Sequence, residues 1–115
     1  MEFFNIEYQA VKNEVEKFIV LLRVKESHKY ANDIVFHIEG QSVELSELHL
    51  TGKGEYSPQR NYPFAKISYF RSFDMWRLFY REGLAWRQYS PVDFVMLEDA
   101  LAEIWADPIN CFAKR

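Results

Sequence analysis

Lys66, Arg77, Phe79 and Trp86 are the residues of this chain whose types and spacing best suit holding a partner. They belong to or adjoin "MWRLFYREGLAWRQY", Met75 to Tyr89, where three arginines alternate with five large rings. A ring beside a cation can do three different things. It can stack on the bases of a single-stranded nucleic acid while the cation meets the phosphates, with stacking on the order of 1 to 3 kcal/mol per base. It can carry the cation over its own face as a cation–π pair of about 0.5 to 1 kcal/mol on a solvated sheet. It can also form part of a contiguous patch that docks another protein or a second copy of the chain. Phe79 and Trp86 would be the platforms, and Lys66 and Arg77 the cationic contacts. The net charge of −3 weighs against nucleic acid, because affinity there comes chiefly from positive charge. The charge is nevertheless uneven, since Arg60 to Tyr89 holds six basic and two acidic residues, a local balance of +4.

Other chemistry-bearing residues are dispersed. His28, His37 and His49 fall on a loop and two strands. If His37 and His49 lie on paired strands they meet, and with Glu39 or Glu47 they could ligate a metal, but a site needs three or four convergent ligands. Cys111 is the sole cysteine, so no intrachain disulfide and no cysteine-based metal cluster can form. As a nucleophile it would require an activating base. The segment around Gly52, Lys53 and Gly54 lacks the spacing of a phosphate loop. Glu98 with Asp99 and Glu14 with Glu16 point in different directions on their helices. No cofactor, metal site or catalytic triad is expected.

Phe4, Tyr8, Val11, Val15, Phe18 and Leu22 recur at spacings of four and three, which predicts an opening helix with one apolar stripe, started by Asn5. Arg23 to Asp33 then reads as a helix end plus loop. After it the period changes to two: "DIVFHIEG" is a strand with Ile34, Phe36 and Ile38 on one face. Gly40 and Gln41 form a tight turn, and "SVELSELHL" is the partner strand. Its apolar parity shifts between Leu45 and Leu48, which predicts a β-bulge near Ser46 or Glu47. Thr51 to Pro63 reads as an exposed loop.

Three strands follow as a meander: Phe64 to Arg71, Met75 to Arg81 and Leu84 to Tyr89. Two-residue turns at Phe73-Asp74 and Glu82-Gly83 would set Arg71 against Trp76, Tyr69 against Leu78, Ile67 against Tyr80, and Tyr80 against Ala85. One face then gathers Ala65, Ile67, Tyr69, Trp76, Leu78, Tyr80, Ala85 and Tyr89 as core. The other gathers Phe64, Lys66, Ser68, Phe70, Met75, Arg77, Phe79, Trp86 and Gln88. "SPVD", Ser90 to Asp93, matches a capping box that opens a final helix with Phe94, Leu97, Leu101 and Ile104 inward. Pro108 stops this helix, and Ile109 and Phe112 tuck back against the sheet.

A chain of 115 residues suits one domain, burying roughly two-thirds of its unfolded surface. The longest apolar run, Phe18 to Leu22, is far short of the roughly 20 residues that span a bilayer. Glu2 and Glu7 stand where a secretory signal needs positive charge, so a cytoplasmic location is expected.

The stretches "HIEGQSVEL", "PFAKISYFRSFDMWRLFYREGLAWRQYSP" and "ADPINCF" resemble the uncharacterised bacterial family DUF3024, over about Phe36 to Phe112. The likeness lies in an Ile38-Glu39-Gly40 hairpin followed by Val43-Glu44-Leu45, and in Ala65-Lys66 at a strand start. It continues in a strand with Trp76, Leu78 and Tyr80, in Leu84, Trp86, Tyr89 and Pro91, and in Asp107-Pro108 before Cys111-Phe112. Arg87 and Gln88 stand where the family often has His and Arg, so no His-dependent chemistry carries over to that spot. The resemblance implies no activity.

The sequence thus predicts an α+β fold, a five-stranded antiparallel sheet made of a hairpin plus a three-strand meander, flanked by an N-terminal and a C-terminal helix. The function expected is non-enzymatic binding of a protein partner, or homo-oligomerisation, through the sheet face of Lys66, Arg77, Phe79 and Trp86 or through the Thr51 to Pro63 loop. The alternatives are a small-molecule enzyme with a pocket between helix and sheet, and single-stranded nucleic-acid binding.

Overall fold

A computed structural model describes residues 5–25, 33–50, 59–108 and 111–112. Helix α1 (Asn5–Lys25) precedes strands β1 (Asp33–Glu39), β2 (Ser42–Leu50), β3 (Gln59–Phe70), β4 (Met75–Glu82) and β5 (Ala85–Gln88), and helix α2 (Leu97–Ala106) follows. The five strands form one antiparallel sheet in the order β1-β2-β3-β4-β5. This is the expected α+β architecture of hairpin, meander and two helices.

Both helices contribute to one core on one side of the sheet. Val11, Val15, Phe18, Ile19 and Leu22 of α1 and Leu97, Ala100, Leu101 and Ile104 of α2 are buried there with Ile34, Val43, Leu45, Ile67, Trp76 and Leu78 of the strands. Among the described residues the α1 stripe begins at Val11, because Tyr8 is 40% exposed; Phe4 and the side chain of Asn5 lie outside the described residues. No described helix is long and apolar enough to cross a membrane.

The β1–β2 hairpin turns at Gly40-Gln41, with Glu39 paired to Ser42 and Gly40 at φ 61°, a backbone conformation that glycine adopts without strain. The meander's turns differ from expectation. Phe70 pairs with Met75, so the β3–β4 connection has four residues, Arg71 to Asp74, with Asp74 itself at φ 53°. Glu82 pairs with Ala85, which moves the next turn to Gly83-Leu84 and leaves Leu84 92% exposed. The observed partners are therefore Tyr69 with Trp76, Ile67 with Leu78, Ala65 with Tyr80, and Tyr80 with Arg87. Each register is displaced by two residues from the sequence reading. Because side chains alternate with a period of two, that displacement leaves the two faces of the meander unchanged.

Two further corrections concern Phe64 and the start of β3. Gln59 to Pro63, expected in a loop, pair with Ser46 to Leu50 as the first part of β3; Thr51 to Pro58, with Lys53, lie outside the described residues. A bulge does fall at Leu45/Ser46, but the extra residue is in β3: Leu45 pairs with Ala65 and Ser46 with Pro63, leaving Phe64 unmatched between them. The bulge turns the Phe64 side chain into the core, 4% exposed, rather than onto the outer face.

The segment after β5 is the largest departure. Ser90 does not cap a helix: its hydroxyl accepts from the Val92 N–H, 3.1 Å away. Phe94 instead forms a two-way bridge with Trp76 (2.7 Å each), continuing the line of β5 along β4. Ser90 to Asp93 thus bulge out of the sheet edge. Pro91 has no N–H to give a ladder, and such a residue is tolerated at an edge bulge. Helix α2 starts at Leu97, with Met96 at the N-cap position and no side-chain cap, and ends at Asp107 with φ 43°, just before Pro108.

Candidate outer face of the sheet

The face turned away from both helices brings the four candidate residues together. Alternation along the strands places Lys66, Ser68 and Phe70 of β3, Met75, Arg77, Phe79 and Arg81 of β4, and Trp86 and Gln88 of β5 on it. Lys66 stands directly across from Phe79, and Arg81 from Trp86. The Lys66 ammonium lies 4.9 Å from the centre of the Phe79 ring and 5.2 Å from that of Trp86, while the Arg81 guanidinium covers Trp86 at 4.9 Å. Two cations therefore share the Trp86 ring. Each such contact is worth about 0.5 to 1 kcal/mol where water can reach it.

Arg77 is held differently. Its guanidinium lies 4.6 Å from the Phe70 ring centre, and it donates through Nε and one terminal nitrogen to both oxygens of Asp93, at 2.9 and 3.0 Å. The hydrogen bonds to Asp93 hold the Arg77 charge more firmly than usual. Such a two-point contact is the strongest form of the arginine–carboxylate pair. Its effect here is to neutralise the cation that the sequence offered to a phosphate. Asp93 belongs to the Ser90–Asp93 bulge, so the acid is delivered by the edge rearrangement described above. A sequence reading that assigns Asp93 to a helix start misses this role; Pro91, immediately beyond a strand, is the signal that the edge can bulge.

The other half of the outer face is acidic. Glu39 and Glu44 lie on it, with His37 3.4 Å from Glu39 and both of those side chains largely exposed. His37 is paired with Glu44 in register and His49 with Arg60, so the two histidines are separated by about five residues of strand, roughly 17 Å. They do not meet. His28 lies outside the described residues. Among the described residues no group of three or more His, Cys, Asp or Glu side chains could hold a metal.

Cys111 sits beside α2, where Asp107 accepts from the backbone N–H groups of both Cys111 and Phe112 at 2.8 and 3.1 Å. Burial, then the Asp107 charge, push its thiol up to about 11. Tyr89, whose hydroxyl donates to Glu103, is raised as well, first by burial and then by that hydrogen bond. Both groups favour their neutral forms in the fold. The stability they confer is complete below their ordinary ionisation range and is lost as pH rises through it toward the folded values. Alkylation of Cys111 by iodoacetamide in the folded protein is accordingly expected to stay slow at pH 8 and to accelerate only toward pH 11. The urea-unfolded chain should react from about pH 8.5. Equal rates in the two states at pH 8 would remove the case for an inert, packed thiol.

A family model described as a domain of unknown function, DUF3024, matches residues 4–114 of the chain. No curated protein and no solved structure matches it.

Proposed function

The chain belongs to the family DUF3024, and from that premise, which assigns no activity, we propose that it is a non-enzymatic binding domain whose outer sheet face docks a protein partner. The observation that carries this reading is the continuous ring-and-cation surface of Lys66, Phe79, Trp86 and Arg81, with Phe70 and Arg77 beside it, on a face that no described helix covers. Contiguous rings outside a core mark interaction sites, and Trp and Arg are the residues that most often dominate their energetics.

Single-stranded nucleic acid has weaker support. Asp93 neutralises Arg77, and a base that stacked on Phe79 or Trp86 would have to displace the Lys66 ammonium from the ring. An enzyme pocket between α1 and the sheet has weaker support too. Val15, Phe18, Ile19 and Leu22 fill that layer against Ile34 and Leu45, all buried.

A photo-crosslinking amino acid placed at Phe79 in the full chain, in its native cells, is expected to trap a protein adduct. The same group at Val20, 56% exposed on α1, should give none. Equal labelling from both positions, or none from Phe79, would refute a docking role for this face.

A further inference from the structure

We propose that the partner is a second copy of this chain, docked outer face to outer face about a two-fold axis that runs parallel to the strands between β2 and β3. This inference rests on the protein-docking reading above and names its occupant. It starts from an ion pair that the sheet sets up but does not make. Glu44 is directly across from Lys66 in the β2–β3 register. The Lys66 ammonium nevertheless turns the other way, over Phe79 and Trp86. Among the described residues Glu44 has no hydrogen bond or ion pair, and Lys66 has no carboxylate. Among the described residues Arg81 likewise meets only the Gly83 carbonyl and the Trp86 ring.

These charges are segregated. Glu39 and Glu44 lie on the β1–β2 half of the face, and Lys66 and Arg81 on the β3–β4 half, where Asp93 balances Arg77. A two-fold contact uses the same patch on both copies, so a face divided in this way is complementary to itself only when each acidic half covers a basic half. Sheets that pack face to face keep their strands within about 30° of each other. An axis along β3 itself would bring the two Lys66 side chains together. Moving it to the space between β2 and β3 carries β2 over the partner's β3 and β1 over the partner's β4.

The registers then determine who meets whom. Glu44, Lys66 and Phe79 share one level across the sheet with His37, and Glu39 and Arg77 share the next. Glu44 faces the partner's Lys66, and by symmetry Lys66 faces the partner's Glu44. Glu39 comes over the partner's Arg77, whose charge Asp93 of the same copy already balances, and His37 over the partner's Phe79, so the Glu44–Lys66 contacts carry the complementarity. Trp86 is left at the rim, where its ring shields the central charges from water.

The test is an in-trans charge exchange, read by light scattering on the full chain from about 1 µM to about 1 mM, a range that brackets weak and moderate complexes. The wild-type protein should approach twice its 13.8 kDa mass as concentration rises. Glu44→Lys and Lys66→Glu should each associate at least tenfold more weakly. An equimolar mixture of the two variants should restore association, because the heterodimer pairs opposite charges at both contacts. Glu98→Lys, on the exposed side of α2, should leave association unchanged. A wild-type monomer at every concentration, a mixture that stays monomeric, or an equal loss in Glu98→Lys would overturn the proposal. The Phe79 crosslink separates the two readings. An adduct containing only this chain supports the two-fold dimer, an adduct with a different protein overturns it while the docking face stands, and no adduct removes both.

Discussion

Phe64→Ala is expected to lower folding stability by about 3 to 5 kcal/mol, whereas Phe79→Ala, in the neighbouring strand, should change it by less than about 1 kcal/mol. The two residues are the same type, on hydrogen-bonded strands. Their difference comes entirely from the bulge at Leu45/Ser46, which inserts Phe64 between Pro63 and Ala65, the residues that pair with Ser46 and Leu45, and swings its ring into the core at 4% exposure. Truncation there removes the ring's transfer energy and leaves a cavity that the sheet, fixed by ladder bonds on both sides, closes poorly. Phe79 lies half-buried on the outer face, where its loss releases one cation–π contact with Lys66. Urea unfolding of both variants checks this directly. Since whole domains of this kind are stable by only about 5 to 15 kcal/mol, the Phe64 variant should show a large fall in midpoint. A fall in Phe79→Ala as large as in Phe64→Ala would mean that the bulge does not reverse the ring.

Phe112→Ala is expected to have an effect of similar size, about 3 to 5 kcal/mol, although Phe112 lies beyond the last helix. Its ring is 1% exposed and packs 5.3 Å from the Tyr89 ring. The Asp107 carboxylate holds the backbone N–H groups of Cys111 and Phe112, so the anchor is both apolar and polar. Removing the ring should loosen this short segment and hydrate Cys111. The Phe112→Ala protein is therefore expected to combine a lower urea midpoint with faster alkylation of Cys111 at pH 8. A variant with wild-type midpoint and wild-type thiol reactivity would show that the segment is not part of the core.

Much of this architecture was legible in the residues. The spacing of Val11, Val15, Phe18 and Leu22 specified a helix, because only a period near 3.6 puts them on one side. The alternation of Ile34, Phe36 and Ile38, and of Trp76, Leu78 and Tyr80, specified strands and sorted their faces. Turn positions were legible only in part. Gly40 marked its turn, but Gly83 is compatible with Glu82-Gly83 and with Gly83-Leu84, and Phe73-Asp74 proved to be half of a four-residue turn. The surface of Lys66, Phe79 and Trp86 survived these errors because a two-residue displacement preserves parity. Phe64 did not survive, because a bulge inserts a single residue and reverses it.

The sequence by itself therefore determined the elements, their order, and which side chains share a face, since these follow from the local periods of a helix and a strand. It also placed Lys66, Arg77, Phe79 and Trp86 on one surface. Only the tertiary structure decided their electrostatic state. Whether Arg77 is a free cation depends on Asp93, sixteen residues along, reaching it from a bulged edge, and whether Lys66 meets Glu44 or two rings depends on packing across four strands. Such pairings are fixed by distances between segments, and those distances follow from turn length and register, which local preference specifies least.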